Sequence, residues 1–426
     1  MATTTGTAER LNSIQTLLTT DMMYEASRMQ VWGQFPKIAP EGELSGARKG
    51  STIDIRFQQR LPINTKELDE KADITPRHVG DNKTTISIKA YGDAVQYTNF
   101  LTLVQMGDAR KEIGKAIADQ HVGSLDRLAG RNYYQGNTVV LRANNVAARV
   151  DLDSTNDVLS NSGVGMSFVA QALAMLRGQG APGFSTDGNG QSKYATVVHT
   201  AVAQDLPETN GYLAALQNRE GAMTLFNGEM GDIRGLRFTE SEQGKVYPGA
   251  GTAAQAATTI TAAVSAGGTS IVVADATGLA VGNMITLGTL EDGSTITTED
   301  QTAAVERLEN VMITAVNGTT LTVAGMGFAS GAAQTPGLRY DHPSGESVIE
   351  AALVAAIPIF GPESVMKAYA VPEGPFGHAV VSGPYDTLQR FHNVGWYFVG
   401  GWAKTMGLWT VRLEVACAKS SIVINQ

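Results

Sequence analysis

The sequence predicts an α+β fold that carries a small inserted all-β domain. Two features near the start predict the mixed class. The first is a long charged hairpin whose strands alternate apolar and polar residues, and the second is the long amphipathic helix that follows it. A third observation predicts the insertion, since after Tyr247-Pro248-Gly249 the chain becomes rich in Ala, Thr, Gly and Val and almost free of aromatic residues. These changes divide the chain into an N-terminal arm (1–50), an extended hairpin (51–99), a helix with an α/β body (100–249), the all-β insertion (250–336) and a return to the body with a C-terminal β segment (337–426).

The arm, residues 1–50, begins with apolar residues at helical spacing, from Leu11 to Leu18, and loses regularity at Trp32-Gly33. It has too few apolar residues to fold alone. We therefore expect it to lie along the body of its own or another subunit.

The hairpin has strands at 51–57 and 84–91, each with the period of two that a half-buried strand requires. The long connection between them is uncommon in a compact domain and is typical of an interaction arm. A projecting charged tip cannot cover itself, so we expect it to contact a neighbouring copy of the chain. The residues expected to make this inter-subunit contact are Lys66, Glu67, Asp69, Glu70, Lys71, Asp73, Arg77 and Asp81.

An apolar stripe at helical spacing predicts a helix over 106–134 that ends at Gly136-Asn137. The α/β body should then contain a helix closed by Gly178, a turn at 187–190, a strand at 194–199, a short helix at 210–217 and a strand at 233–239. Strands that alternate with helices are typical of a mixed body.

The insertion is expected to hold short strands at 270–274, 284–287, 311–316 and 320–323, with Asn317-Gly318 as a type I′ turn. After it, the C-terminal segment alternates, so that Val411, Leu413, Val415 and Cys417 face one way while Arg412, Glu414 and Lys419 lie on or beyond the polar side.

Composition limits the function classes. Charged residues make up 17% of the 426 residues, which suits a protein that hides much of its surface in assembly contacts and also a plain β-rich protein. The net charge is −9, and seven acidic residues against two arginines between 250 and 340 supply −5 of it. Because no Lys/Arg cluster is dense, specific nucleic-acid recognition is not expected. A single cysteine, Cys417, excludes an internal disulfide, and we expect neither a signal peptide nor a membrane span.

The sequence shows no pattern that predicts an enzyme, a cofactor or a metal site. The six histidines lack metal-ligand spacing. The segment from Asp151 resembles the start of a calcium loop, but Asn156 and Ser162 replace the required Gly and Glu, so we favour a turn and capping cluster. Lys66 or Lys71 could form an isopeptide link to a neighbour, but ordinary salt bridges are the preferred interpretation.

The order of arm, hairpin, long helix, α/β body and final β segment resembles the major capsid protein of tailed bacteriophages, which has the HK-ninety-seven-type fold. Residues 228–241 are similar to the axial-domain segment of phage coats. Residues 383–390, Val394-Gly395-Trp396 and 408–416 resemble the C-terminal signature of a podovirus-like coat subfamily. The resemblance covers the chain except for about 250–336.

The resemblance implies an N-arm, an E-loop (the hairpin), a spine helix, and peripheral and axial domains. It also implies self-assembly into pentamers and hexamers of an icosahedral shell around double-stranded DNA, with only loose, non-specific contact to that DNA. The implied partners are a portal, a separate scaffolding protein (because the short arm leaves no room for a fused one) and a possible decoration protein. The implied location is the virion, assembled in the bacterial cytoplasm.

Three other classes stay open on the sequence alone. An encapsulin-type nanocompartment shares the fold. A phage tail or adhesin protein would explain the β insertion but not the long helix. A secreted polysaccharide-active enzyme would explain the Thr/Gly-rich strands but requires a carboxylate pair that we do not find.

Overall fold

The computed structural model describes residues 30–44, 52–58, 61, 63–65, 67, 79–98, 109–137, 139–153, 156–161, 164–186, 192–207, 229–233, 235–251, 256–287, 309–324, 337–338, 340–350, 352–371, 374–382 and 390–417. The predicted arm residues 1–29 and the predicted helix at 210–217 lie outside these ranges. No helix among the described residues has the length and apolar character needed to cross a membrane.

The described chain is rich in strands and has few helices. Its first half contains β1 (Lys37–Leu44), β2 (Thr52–Gln58), β3 (Asp81–Ser87), β4 (Lys89–Thr98), α1 (Ala109–Tyr134), β5 (Val139–Arg142), α2 (Gly165–Gly178), β6 (Ser185–Thr186), β7 (Ser192–His199) and α3 (Thr200–Ala203). Three further strands are β8 (Glu229–Ile233), β9 (Leu236–Ser241) and β10 (Val246–Gly251). The rest contains β11 (Ala257–Thr259), β12 (Ser270–Val272), β13 (Met284–Leu287), β14 (Glu309–Asn317), β15 (Thr320–Ala324), β16 (Ser347–Glu350), β17 (Ala352–Phe360), β18 (Val365–Ala370), β19 (His378–Ser382), β20 (Phe391–Lys404) and β21 (Thr410–Ala416).

The chain divides into two compact units. The first comprises Met1–Gln30, Pro36–Leu125 and Val365–Thr405, and the second comprises Val31–Phe35, Asp126–Ser364 and Met406–Gln426. The division falls inside α1, between Leu125 and Asp126.

The first unit is built on the long strand β20. Strand β4 pairs along one side of it, β19 and β18 share the other side, and β1 joins β18 in parallel. The predicted hairpin is present as the antiparallel pair β2–β3. Its second strand is shorter than expected, because regular pairing stops at Ile88 and the chain continues as β4 on a different partner.

The second unit contains an eight-stranded mixed sheet with the order β5-β21-β17-β7-β9-β8, to which β10 and β6 add at β17 and β7. The strand predicted at 233–239 forms in part, as β9, whereas Ile233 ends the preceding strand β8. The two strands make a hairpin, and Gly235 between them has a positive φ of 83°. The two long helices form where predicted, and Gly136 follows α1 with a φ of 60°.

An aromatic cluster holds residues 31–35 inside the second unit. The fully buried Trp32 ring lies 5.5 Å from Tyr133, 5.0 Å from Tyr134 and 6.3 Å from Phe360, between ring centroids. The Trp32 and Gly33 N–H groups donate to Asp126 Oδ1 at 2.7 and 2.9 Å. Burial raises the pKa of Asp126 to about 6, although these N–H donors act in the opposite direction.

The prediction that the C-terminal strand, β21, has a polar side is wrong. Every residue of β21 is buried, including Arg412 and Glu414. The alternation of side chains along the strand is as predicted. However, the side that carries Arg412 and Glu414 is covered by other parts of the second unit, so those charges are paired inside the protein. Lys419 lies outside the described residues.

A six-stranded antiparallel sheet forms between residues 257 and 350, with the order β11-β16-β13-β14-β15-β12. Its two end strands meet, because Ile260 bridges Val273 and the Thr261 N–H donates to the Val272 carbonyl at 2.8 Å. The sheet therefore closes on itself, and its interior is filled by twelve buried apolar residues from Ile260 to Val348. We call this element the closed sheet.

The closed sheet departs from the predicted insertion in three details. Its last strand, β16, lies beyond residue 336. Its tight turn places Gly318-Thr319 between the paired residues Asn317 and Thr320. Only Gly318 of these two has a positive φ, 60°, so the type I′ assignment is wrong. The acidic residue Glu309, one of the seven counted above, is buried.

Candidate functional site

The hairpin β2–β3 presents two different faces. Ile55 and Ile86 are buried and join Ala39, Met366 and Ala368 in one apolar cluster. On the other face the Lys83 Nζ and the Thr85 hydroxyl donate to the Asp54 carboxylate at 3.2 and 2.7 Å. These bonds, with Thr85 first, lower the pKa of Asp54, which is exposed. The base of the hairpin is therefore fixed on the first unit by its apolar face.

A close backbone approach fixes where the hairpin sits on β20. A Cβ added at Gly401 would lie 2.1 Å from the Ser87 carbonyl oxygen and 3.1 Å from the Ile86 side chain. The Thr84 hydroxyl also donates to the Thr405 carbonyl at 3.2 Å. Glycine is required here because no side chain fits between the two backbones.

The predicted contact residues of the tip are mostly not described. Lys66, Asp69, Glu70, Lys71, Asp73 and Arg77 lie outside the described ranges, and so does the side chain of Asp81. Glu67 is described and exposed. The structure thus neither brings these charges together nor separates them.

The described part of the tip instead reveals exposed apolar residues that the sequence analysis missed. Ile63 is 92% exposed, Leu61 52% and Val79 42%. Single exposed apolar side chains are ordinary on protein surfaces, whereas three in one connection make it a candidate interaction surface. Leu61 and Ile63 precede the charged stretch and Val79 lies near its end, and these positions were the available signal.

A second candidate surface is an open face of the five-stranded sheet. Across β19, β20 and β4, Val380 is paired with Gly395, which is paired with Ala94, so these residues share one face. Tyr397 and Gly92 are paired in the same way on that face. Because the side chains are small, the surface forms an open groove of about 540 Å³ in which Tyr397 is 38% exposed.

The opposite face of the same sheet is covered at β20, where Val394, Trp396 and Phe398 are buried. His121 of α1 lies 4.9 Å from Trp396, between ring centroids, and Gln120 donates to Asp93 at 2.6 Å. Burial lowers the pKa of His121 to about 4, so the ring is neutral at pH 7. The groove therefore lies on the other face of β4, β19 and this part of β20, opposite the face that α1 contacts.

The described residues contain no group of three or more His, Cys, Asp or Glu placed to hold a metal ion. The candidate calcium loop is a turn cluster, in which Asp157 accepts from Asn144 at 2.6 Å and from the Asp153 N–H at 2.8 Å. Cys417 is buried, and burial raises the pKa of its thiol.

Comparisons with known proteins address the fold. No family model and no curated protein matches the sequence. Among solved structures, the capsid of Ralstonia phage GP4 is 10% identical, with a TM-score of 0.51 over 92% of this chain and 92% of that chain. The Cyanophage Pam1 capsid is 13% identical, with a TM-score of 0.48 over 88% of this chain and 87% of that one. The capsid of Cyanophage P-SCSP1u is 8% identical, with a TM-score of 0.48 over 91% and 88%.

The likeness to the Ralstonia phage GP4 capsid extends over nearly the full length of both chains. The chain therefore has the α+β fold of a tailed-phage capsid protein, as the sequence resemblance implied.

Proposed function

We propose that this chain is a major capsid protein that assembles into the icosahedral shell enclosing a double-stranded phage genome. The observation that carries the proposal is the capsid-type fold combined with a projecting hairpin whose tip exposes Leu61, Ile63 and Val79. A lone subunit gains nothing from such a tip, whereas burial against a neighbour removes this apolar area from water.

The role proposed for the chain is structural and not enzymatic. Shell subunits form pentamers and hexamers, and many individually weak contacts then become strong through multivalency. The charges from Lys66 to Asp81 would set the register between neighbours, and the apolar tip residues would add affinity. The proposed location is the virion, after assembly in the host cytoplasm.

The proposed partners follow from the same role. Other copies of the chain are the main partner, with a portal and a separate scaffolding protein during assembly. Contact with packaged DNA is loose, because the sequence has no dense basic cluster. We further propose that the closed sheet is a domain inserted into the coat, where it could clamp neighbours or serve in place of a decoration protein.

A charge placed on the hairpin tip tests the shell role. Ile63→Asp should leave the monomer folded, because Ile63 is 92% exposed, and should abolish shells because the charge would be buried at the contact. Removal of residues 62–81 should have the same effect. The measurement is negative-stain electron microscopy of the chain expressed with its neighbouring genes.

The matched control is Val371→Asp, which introduces the same charge at a β-branched residue that is 47% exposed, directly after β18 and outside the closed sheet. We expect shells from the control and from the unchanged chain. Normal shells from Ile63→Asp and from the 62–81 deletion would contradict the proposed role of the hairpin. Dispersed monomers from the unchanged chain would contradict the capsid function itself.

A further inference from the structure

The closed sheet holds a buried histidine between two carboxylates. The His342 side chain is 0% exposed, while the side chains of Glu309 and Glu346 are 9% and 10% exposed. His342 Nε2 lies 3.0 Å from Glu309 Oε1, and Nδ1 lies 2.7 Å from Glu346 Oε2. We call these three residues the His342 triad.

This geometry requires one more proton than a neutral imidazole between two carboxylates would carry. A carboxylate oxygen only accepts hydrogen bonds, so an imidazole that bonds to one at each nitrogen must donate from both. Both nitrogens are donors only in the charged imidazolium form. A neutral ring could donate to one glutamate alone, and the other carboxylate would then face a ring nitrogen lone pair.

The triad connects three parts of the closed sheet. Glu309 is the first residue of β14, Glu346 directly precedes β16, and these two strands flank β13 on opposite sides. The His342 backbone also exchanges two hydrogen bonds with Val264, at 2.8 and 2.9 Å. The imidazolium therefore fastens together segments that are far apart in sequence.

Two opposing effects act on the charged form of the His342 ring. Burial disfavours the charged ring, but the hydrogen bonds and charges of Glu309 and Glu346 outweigh it and raise the pKa of His342 above 6.5. The adjacent Asp341 is turned to the Ala266 N–H, at 2.7 Å. The two glutamates are thus the titratable groups that face the ring from β14 and from the segment before β16.

We propose that the His342 triad is a proton-operated latch that keeps this end of the closed sheet shut while the ring carries both protons and opens it when the ring loses one. Below pH 6.5, while both glutamates are ionised, the imidazolium contributes its full stabilisation. As the pH rises through the raised folded-state value, the ring loses the proton that joins it to one glutamate, and that stabilisation is lost. The ring then donates to one carboxylate only, and the other faces a ring nitrogen lone pair.

Two measurements on the full-length chain test the latch. The first is an NMR titration of the histidine ring protons, in which the His342 signal is identified by its loss in His342→Gln. We expect the His342 pKa to exceed 6.5, and to fall in Glu309→Gln because one carboxylate has been neutralised.

The second measurement is hydrogen exchange followed by mass spectrometry from pH 6 to 9, corrected for the intrinsic pH dependence of exchange. As the pH rises, the opening equilibrium constant of β14 and β16, measured on their peptides, should increase. The total increase should be about tenfold for each unit by which the His342 pKa in the closed state exceeds its pKa in the open state. Peptides from β17 and β21 provide the internal reference. His392→Gln, in the first unit, is the control that should not change β14 or β16.

The two glutamine variants keep the test decisive. His342→Gln should show rapid exchange in β14 and β16 at every pH, whether through local opening or through unfolding of the sheet. Glu309→Gln retains a one-sided bond to Glu346 and should shift the exchange midpoint to lower pH. A His342 pKa at or below 6.5, or exchange in β14 and β16 that rises no more than in the reference peptides, would overturn the proposal.

Discussion

At the scale of single residues, Glu414 is the carboxylate that organises a buried cluster of arginines. Its Oε1 lies 2.9 Å from both Arg149 and Arg412, and its Oε2 lies 2.9 Å from Arg142. The Arg149 guanidinium also lies 3.7 Å from the centre of the Tyr247 ring. Removing Glu414 would leave several cations close together in the interior without their counter-charge.

We therefore predict that Glu414→Gln destabilises the protein by about 3–5 kcal/mol, the range typical when one partner of a buried pair is lost. The measurement is urea unfolding of the full-length chain. Glu67→Gln, at an exposed glutamate, is the control and should stay within about 0.5 kcal/mol. Equal stability of the two variants would contradict the role assigned to Glu414.

The pH dependence of this cluster has a definite sign. Burial alone would raise the pKa of Glu414, but Arg149, Arg412 and Arg142 outweigh it and lower the pKa. The stabilisation is therefore present above the unfolded value of 4.5 and is lost as the pH falls through the folded value. In Glu414→Gln this contribution to acid sensitivity should be absent.

This cluster also shows what a strand pattern can and cannot predict. The alternation at 411–417 correctly placed Arg412 and Glu414 on the face opposite Val411 and Leu413. The interpretation of that face as a polar side was wrong, because period-two alternation does not reveal whether a second layer covers the other face. The neighbours that neutralise it, Arg142 and Arg149, are more than 260 residues away in sequence.

At the scale of elements, the seat of the hairpin on β20 depends on a missing side chain at Gly401. We predict that Gly401→Ala pushes β2–β3 away from the sheet, because the new Cβ would lie 2.1 Å from the Ser87 oxygen. The expected cost is about 1–3 kcal/mol, as for other overpacked sites. Hydrogen exchange should be accelerated by the substitution, relative to the unchanged chain, more in β2 and β3 than in β18.

The matched control for this substitution is Gly178→Ala. Gly178 ends α2, and a Cβ there would meet no heavy atom within 4 Å. Alanine should be neutral at this position or stabilise the helix by up to about 1 kcal/mol. Unchanged exchange in the hairpin of Gly401→Ala would show that the close approach does not determine where the hairpin sits.

Long periodic elements were predictable, and their interruptions were not. The hairpin, α1, α2 and the strands at β7, β13, β14 and β15 follow from apolar spacing in the sequence. The breaks at Ile88 and Gly235 depend on which strand pairs with which, and pairing is a property of the folded sheet. The same limit applies to the candidate site, since charge made the tip conspicuous whereas the exposure of Ile63 and the groove beside Gly395 exist only in three dimensions.

At the scale of the whole molecule, the closed sheet is joined to the rest of the second unit in a way that suits an insertion. The sheet has its own buried core, and both of its connections leave from neighbouring strands. Gly251 at the end of β10 and Ala352 at the start of β17 are directly paired across the antiparallel ladder. The Glu350 N–H donates to the Ala256 carbonyl at 2.9 Å, so the first and last described residues of this region are also adjacent.

We predict that residues 252–351 can be replaced by an Asn-Gly turn without loss of the remaining fold. A pair of cross-strand partners is the geometry that a two-residue turn closes, so β10 and β17 would become an ordinary hairpin. The shortened chain should unfold cooperatively in urea.

Residues 256–350 expressed alone should also fold, because their twelve-residue apolar core is internal to the fragment. Folding of the fragment together with aggregation of the shortened chain would show that the second unit needs the closed sheet as a structural support. Failure of both pieces would show that the two share one folding unit, contrary to an inserted domain.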